Sequence, residues 1–315
     1  MRAIVTGGAG FIGSNLVDAL VTAGADVTVI DNLSTGREAN LHKAIEHGAR
    51  LRVIDILDAD NVLGVFDEDR PDVVFHLAAQ IDVRKSIARP AWDAEINVQG
   101  TINVLEAARL TKLGRLVSTS TGGAIYGDAD VIPTPESAAT RPEAAYGQSK
   151  LAAEGYVALY ERIYGLSCVT LRYGNVYGPR QDPLGEAGVV AMFCGCLMKG
   201  SRPTVYGDGL QTRDYVYVGD VVEANLAAAA RDDVHGAVNV GTGRESTVLD
   251  LVDAMGPLAG AADFTPEFAP ARFGELARSC LDVSRAAELL GWSASTGLLD
   301  GLRRTMEATL PAPGP

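Results

Sequence analysis

The chain predicts an α/β fold: a doubly wound parallel sheet with a smaller, less regular C-terminal lobe. Three observations carry that expectation. Short apolar runs each stop at a polar residue, helix-length stretches lie between them, and a glycine-rich turn joins the first run to the first helix. The first run, residues 3–5, is Ala-Ile-Val and passes through Thr6 into Gly7. Phe11, Ile12, Leu16, Leu20 and Val21 then fall at helical spacing over residues 11–23. Residues 27–30 end in Asp31, residues 51–54 in Asp55, residues 73–75 in His76 and residues 115–117 in Ser118. Near-continuous apolar runs of this kind belong to strands buried on both faces. Such sheets gather their ligand groups at the carboxyl ends of the strands. Residues 151–164 continue as helix, and residues 168–172 read as another central strand.

Beyond Tyr173 the alternation gives way to Pro- and Gly-rich connections. The stretches 175–180 and 205–209 read as loops, whereas residues 219–230 and 248–258 read as helices. The expected division is a main domain over residues 1–172, with returns near 214–240, and a second lobe formed mainly by residues 173–315. Pro311 to Pro315 reads as a frayed tail.

Forty acidic against 27 basic side chains give a net charge of −13, which disfavours nucleic acid and anionic membrane as partners, so any phosphate must be held locally. Cys168, Cys194, Cys196 and Cys280 are too scattered for a disulfide framework and lack partners at metal-ligand spacing. They read as reduced core residues, and no metal is expected. No stretch has the length and apolarity of a signal peptide or a bilayer span, so a cytoplasmic location is expected.

The glycine turn makes a specific physical demand. Gly7 permits the tight turn, Gly10 lets backbone approach a pyrophosphate, and Gly13 lets the helix lie against the strand. Phe11 and Ile12 begin a helix whose free N–H groups favour an anion. Asp31 ends the next strand, where a carboxylate can accept from an adenosine ribose and repel a ribose phosphate. No Arg precedes Arg37 in that loop, so NAD is favoured over NADP.

Tyr146 and Lys150 stand four residues apart on the next long helix and therefore share a face. An ordinary phenol, with a pKa near 10, is a poor base at neutral pH. A nearby ammonium favours the phenolate, and lowering the pKa by about three units takes about 4 kcal/mol, within reach of that cation combined with the positive charge of a nicotinamide.

Taken together, these motifs resemble the extended short-chain dehydrogenase/reductase family, in its nucleotide-sugar epimerase and dehydratase branch, over nearly the whole chain. The fold implied is Rossmann-like, with residues 1–172 binding NAD. The family's Gly-x-x-Gly-x-x-Gly turn, strand-end hydroxyl and Tyr-x-x-x-Lys are matched by Gly7, Gly10 and Gly13, by Thr121, and by Tyr146 and Lys150. Thr121 is preferred as the hydroxyl because its spacing to Tyr146 resembles the family's, with Ser120 as the alternative. By the same resemblance Asn32, Asp55 and Ile56 belong to the adenosine end of the cofactor, and Leu77, Ala78, Ala79 and Gln80 line it. Asn97 resembles the family's helix residue that braces the active site.

In the second lobe, Asn175, Arg213 and Arg272 resemble the family's grip on a nucleoside diphosphate, where guanidinium forks neutralise phosphate. Tyr206 and Glu275 resemble contacts to the base and its ribose, and the nucleotide implied is UDP. The Asp-Glu pair that follows the catalytic Thr in the family's 4,6-dehydratases is replaced here by Gly122 and Gly123, which removes the acid needed to expel water. The stretch around Val189, residues 185–190, resembles UDP-hexose 4-epimerases instead. The expected chemistry is therefore C4 epimerisation of a UDP-hexose through a 4-keto sugar. Ser279 falls at the family's size gate, which leaves room for N-acetylated sugars, whereas Arg278 raises the alternative of a uronate epimerase or decarboxylase. A non-catalytic NAD-binding scaffold is the more distant alternative. A homodimer is implied, with residues 101–110 and 151–164 packing against their symmetry mates.

Overall fold

A computed structural model of the protein describes residues 1–183, 188–261, 263–271 and 276–309. Six strands form in chain order: β1 (Arg2–Thr6), β2 (Asp26–Asp31), β3 (Arg50–Val53), β4 (Val73–His76), β5 (Arg115–Thr121) and β6 (Cys168–Tyr173). With the later strand Gly236–Val240 beside β6, they make one parallel sheet running from Gly236–Val240 through β6, β5, β4, β1 and β2 to β3. The strand order reverses between β1 and β4, which opens a crevice at their carboxyl ends.

Side-chain alternation explains why the runs had to be apolar on both faces. Ala3, Val5, Val27, Val29, Val73, Phe75, Val117, Val169 and Leu171 enter one core, shared with helix α1 (Phe11–Thr22) and helix Val218–Ala229. Ile4, Ile30, Val74, Leu116 and Cys168 face the other way, against helices Ala59–Asp69, Gly100–Thr111 and Ala145–Tyr164. Each fully buried Val, Ile or Phe contributes about 1.5–3 kcal/mol relative to exposure, which fixes the register of every strand. The run at residues 51–54 behaves differently. β3 sits at the sheet's edge, and Val53 is 62% exposed because no further strand or helix covers it.

Residues 218–240 return to the main domain as helix and strand. Helix Ser284–Leu290 joins them through Ala286, Leu290 and Trp292. A separate core gathers Tyr177, Phe193, Val205, Tyr215, Leu251, Met255 and Leu302 in the second lobe. Two stretches read as loops prove to hold short strands: Asn175–Tyr177 runs parallel to Tyr215–Tyr217, and Thr204–Tyr206 parallel to Glu267–Ala269. Three residues are too few to show a period in sequence, so only the pairing reveals them. Cys168, Cys194 and Cys280 are buried and Cys196 partly so, all as free thiols. No described helix is long and apolar enough to cross a membrane, and the described residues hold no His/Cys/Asp/Glu cluster able to bind a metal.

Candidate active site

The turn after β1 is shaped by backbone that leaves no room for side chains. Gly7 has φ +69°, and a Cβ there would lie 2.7 Å from the Ala78 amide nitrogen. At Gly13 it would lie 2.2 Å from the Gly7 carbonyl oxygen, so this glycine closes α1 onto the turn itself, while Gly8 lies against Val29 of β2. Gly10 is the N-cap of α1 and offers no capping side chain. Gly10, Phe11 and Ile12 are partly open, whereas Gly8, Ala9 and Gly13 are buried. Open N–H groups at a helix start beside a rigid turn suit a pyrophosphate.

Asp31 holds the turn from the next strand. Ala9 N donates to its Oδ2 at 2.9 Å and Leu33 N to its Oδ1 at 2.8 Å. Burial raises the Asp31 carboxyl above its usual value, against those two backbone bonds. Each oxygen keeps a second lone pair for a ribose hydroxyl. Asn32 Nδ2 donates to Asp55 Oδ2 at 2.8 Å, and Asp55 Oδ1 accepts from Leu57 N, so Asn32 and Asp55 line one rim with the buried Ile56 beneath Gly100. Arg37 pairs with Asp182 at 2.5 Å.

Leu77 to Gln80 cross from β4 over the turn. Ala78 N donates to Thr6 Oγ1 at 3.2 Å, and Thr6 Oγ1 lies 2.8 Å from His76 Nδ1. His76 Nε2 lies 3.0 Å from Thr101 Oγ1, which itself donates to Asn97 O. Because Thr101 spends its proton on Asn97, His76 must carry its hydrogen on Nε2 and accept at Nδ1. Burial, helped by the Lys150 charge, holds the His76 pKa down to about 3, so the ring is neutral.

Asn97 lies in a π-helical turn, Glu95–Gln99. Its Oδ1 accepts from Gln80 N at 2.8 Å, and its Nδ2 reaches Gln80 O at 3.0 Å and Ser149 Oγ at 2.9 Å. Ser149 Oγ donates to Tyr146 O. Asn97 thus ties the β4 loop to helix Ala145–Tyr164. That helix begins at Ala144, which has no capping group, and Ser86 supplies one by accepting from Tyr146 N at 3.0 Å. Ser86, Ser149 and Asp93 were not among the residues singled out in sequence. A lone Ser or Asp carries no local signal, because its partner lies on a different segment.

Thr121 ends β5, which runs three residues past the level at which Thr6, His76 and Ser118 pair across β1, β4 and β5. At about 3.3 Å per residue, its hydroxyl stands about 10 Å beyond that level. The Thr121 hydroxyl stands near enough to the Tyr146 phenol to favour its ionised form. Ser120 Oγ is buried without a partner, so alternation along the strand separates the two hydroxyls. Lys150 is 4% exposed.

In the protein alone, burial dominates the electrostatics of the pair. Burial pushes the Tyr146 phenol up to about 12, the Thr121 bond opposes the rise and the Asp93 charge adds to it. Burial also brings Lys150 down to about 8, against Glu154 and Asp93. Loss of water around the ring oxygen is the largest effect on it, so burial favours the protonated phenol.

Gly122 and Gly123 follow Thr121 directly. A Cβ on Gly122 would lie 2.6 Å from Leu281 Cδ1, and one on Gly123 3.3 Å from Asn175 Oδ1. A side chain at either position would require Leu281 or Asn175 to give way.

In the second lobe, Asn175 N donates to Asp214 O at 2.7 Å and Ser279 N to Thr212 O at 3.2 Å, so Asn175 and Ser279 flank Arg213. The Arg213 guanidinium rests on the carbonyls of Thr212 and Leu276. The Asp214 carboxylate locks the surrounding loops through Thr242, Gly243 and Leu281. Tyr206 is tied in through Gln211 Nε2, and Val189 starts helix Val189–Lys199 against the lobe's core. Arg272 and Glu275 lie outside the described residues, as do residues 185–187. Arg278 is exposed and engaged by Glu245, with Nε to Oε1 at 2.9 Å, so the cation considered for a uronate is already paired.

A parallel sheet with a glycine turn at its switch point, and a Thr–Tyr–Lys group at the carboxyl edge, defines a dinucleotide-dependent enzyme of the short-chain dehydrogenase/reductase type. The NAD dependent epimerase/dehydratase family matches residues 3–241, and the chain belongs to it. The chain is 46% identical, over 98% of both sequences, to a UDP-glucose 4-epimerase of Mycolicibacterium smegmatis. It superimposes with a TM-score of 0.94 and 44% identity on a UDP-glucose 4-epimerase of Thermotoga maritima solved with UDP-glucose, covering 98% of each chain. A Thermus thermophilus UDP-glucose 4-epimerase solved with NAD gives a TM-score of 0.90 at 43% identity, over 98% of this chain and 99% of that one.

Proposed function

We propose that this protein inverts C4 of UDP-glucose and UDP-galactose. The observation that carries the reading is the Thr121 hydroxyl acting on the Tyr146 phenol, with Lys150 buried one turn further along the same helix and glycines at 122 and 123. The open turn at Gly10 to Ile12 fits a pyrophosphate, and Asp31, Asn32, Asp55 and Ile56 fit the adenosine end. Leu77 to Gln80, with Asn97 behind them, line the path towards Tyr146 and Lys150.

In this reading Tyr146 takes the proton of the 4-hydroxyl and Thr121 orients that hydroxyl. Lys150 holds a positive charge beside the phenol and a donor for the cofactor's ribose. A phenol at about 12 lies about five units above neutrality, or about 7 kcal/mol. NAD, when bound in its oxidised form, supplies the acceptor for the C4 hydride and a positive charge that joins Lys150 in lowering this cost. Arg213, Asn175 and Arg272 hold the diphosphate, Tyr206 and Glu275 the nucleoside, and Val189 packs near them. A sugar held only through its diphosphate tether could turn over in the site, so firm nucleotide binding and loose hexose binding would favour epimerisation. Ser279 beside Arg213 leaves the C2 side uncrowded, which admits N-acetylated hexoses.

The chain also acts as a homodimer in this reading. Leu110, Ile163 and Tyr164 are 51–59% exposed on the adjacent helices Gly100–Thr111 and Ala145–Tyr164, where a second copy covers them.

Incubation with UDP-glucose, UDP-galactose, their N-acetylated forms and UDP-glucuronate, with product analysis for C4 inversion, tests the assignment. Tyr146→Phe should cut turnover by about 10²–10⁴-fold while NAD stays bound. Undiminished turnover in that variant removes the mechanism.

A further inference from the structure

The mechanism leaves one buried charge unused. Asp93, in the short helix Pro90–Ala94, is 0% exposed. Its Oδ1 accepts from Gln80 Nε2 at 2.6 Å and from Asn97 Nδ2 at 3.3 Å, while its Oδ2 is buried with no hydrogen-bond partner. A carboxylate with one dry oxygen is costly unless a cation stands near it.

The charges around it narrow the choice of cation. Helix Val83–Ala88 brings Arg84 and Lys85, both exposed, and Lys85 pairs with Asp82. Arg89, at the start of the Asp93 helix, is exposed and stacks on Trp92, and Glu95 in the following turn is exposed. Helix Ala145–Tyr164, packed against Asp93, presents Tyr146, Lys150 and Glu154. Glu154 is neutralised by Arg172 through three contacts of 2.6–3.2 Å, with side chains only 8% and 10% exposed. His76 is neutral. Among these described residues, the opposite buried charges without an ion pair are therefore Asp93 and Lys150.

We propose that Asp93 is a positioning residue that serves as the buried counter-charge of Lys150 and sets the pH window of the Tyr146–Lys150 pair. One anion acts on both groups in the same direction, because it disfavours a phenolate and favours an ammonium. The Asp93 charge raises the proton affinity of Tyr146, and it raises that of Lys150 after Glu154, whose own charge is paired with Arg172. Asp93 also anchors Gln80 and Asn97, so the group that sets the charge belongs to the frame that places the cofactor loop.

This inference rests on the proposed epimerase reading, and the test separates the two. Asp93→Asn keeps an acceptor for Gln80 and removes the charge. The profile of kcat/KM against pH should move as a whole, with acid and basic limbs both shifted to lower pH by about half to one unit and the maximum kept within a few-fold. A thermal melt close to the wild type shows that the frame is intact. Limbs that stay in place, or that move in opposite directions, overturn the proposal and leave Asp93 a neutral or merely structural group. If wild type fails to epimerise any UDP-hexose, the functional reading falls instead. Asp93 is then tested by ultraviolet titration of the tyrosinate, taken as the difference from Tyr146→Phe, which should also shift to lower pH on loss of the charge. Should Asp93→Asn not fold, Asp93→Ser carries the same expectations for both measurements.

Discussion

Gly13 and Gly64 both lie in helices, and alanine is the better helix former at each. Replacing Gly by Ala inside an exposed helix is worth about 1 kcal/mol. At Gly64, in helix Ala59–Asp69, an added Cβ meets nothing within 4 Å, so Gly64→Ala should stabilise the protein by about that amount. At Gly13 the added carbon lands 2.2 Å from the Gly7 carbonyl oxygen and 2.8 Å from the Gly8 Cα. Both obstacles are backbone and cannot rotate away, so α1 must shift by about 1 Å to regain van der Waals contact. Overpacking of that severity costs about 3 kcal/mol, and after the helix preference of Ala is subtracted about 2 kcal/mol of destabilisation remains. The same displacement moves the α1 N-terminus relative to the turn, and a misplacement of about 1 Å in a binding cradle typically costs about 10²-fold. Urea unfolding of Gly13→Ala and Gly64→Ala, paired with calorimetric titration of NAD, reads both quantities. Stability and NAD affinity in Gly13→Ala equal to wild type would refute the account of the turn. So would equal destabilisation by both substitutions.

Other expectations follow from the same structure. The folded pKa of His76, about 3, lies below its unfolded value near 6.5, so the unfolded chain binds the extra proton first. Its contribution is complete above about pH 6.5 and lost progressively towards about pH 3, and between pH 6.5 and pH 5 unfolding free energy should fall by about 2 kcal/mol on its account. Urea midpoints across that interval should show the slope in wild type and lack it in His76→Gln, and a flat wild-type curve contradicts a buried neutral imidazole. Leu110→Glu puts a charge on the exposed apolar face of helix Gly100–Thr111 and should convert a dimer to a monomer, read by light scattering after gel filtration. An unchanged dimer mass would place the interface elsewhere.

Much of the architecture was legible because its signals are local. A strand buried on both faces must be apolar at consecutive positions, and β1, β2, β4 and β6 announce themselves this way, as do the glycine turn and the four-residue spacing of Tyr146 and Lys150. β3 shows the limit: its apolar residues matched the pattern, yet its place at the sheet's edge left Val53 in solvent. The three-residue pairings of the second lobe were too short to carry a period.

Spacing along the chain could bring the phenol and the ammonium onto one helix face, but it could not say which of them the interior would leave charged. That depends on how much water each loses and on which ions stand nearby, quantities summed over residues far apart in sequence. Ser86 caps the helix of Tyr146 and Lys150 from 60 positions away, and Asn97 reaches Ser149 across 52. Asp93 stands within that frame with one oxygen unpaired. Electrostatic energy in a dry interior depends on distance and solvation rather than on order along the chain, so the ionisation of the site is a property of the folded molecule.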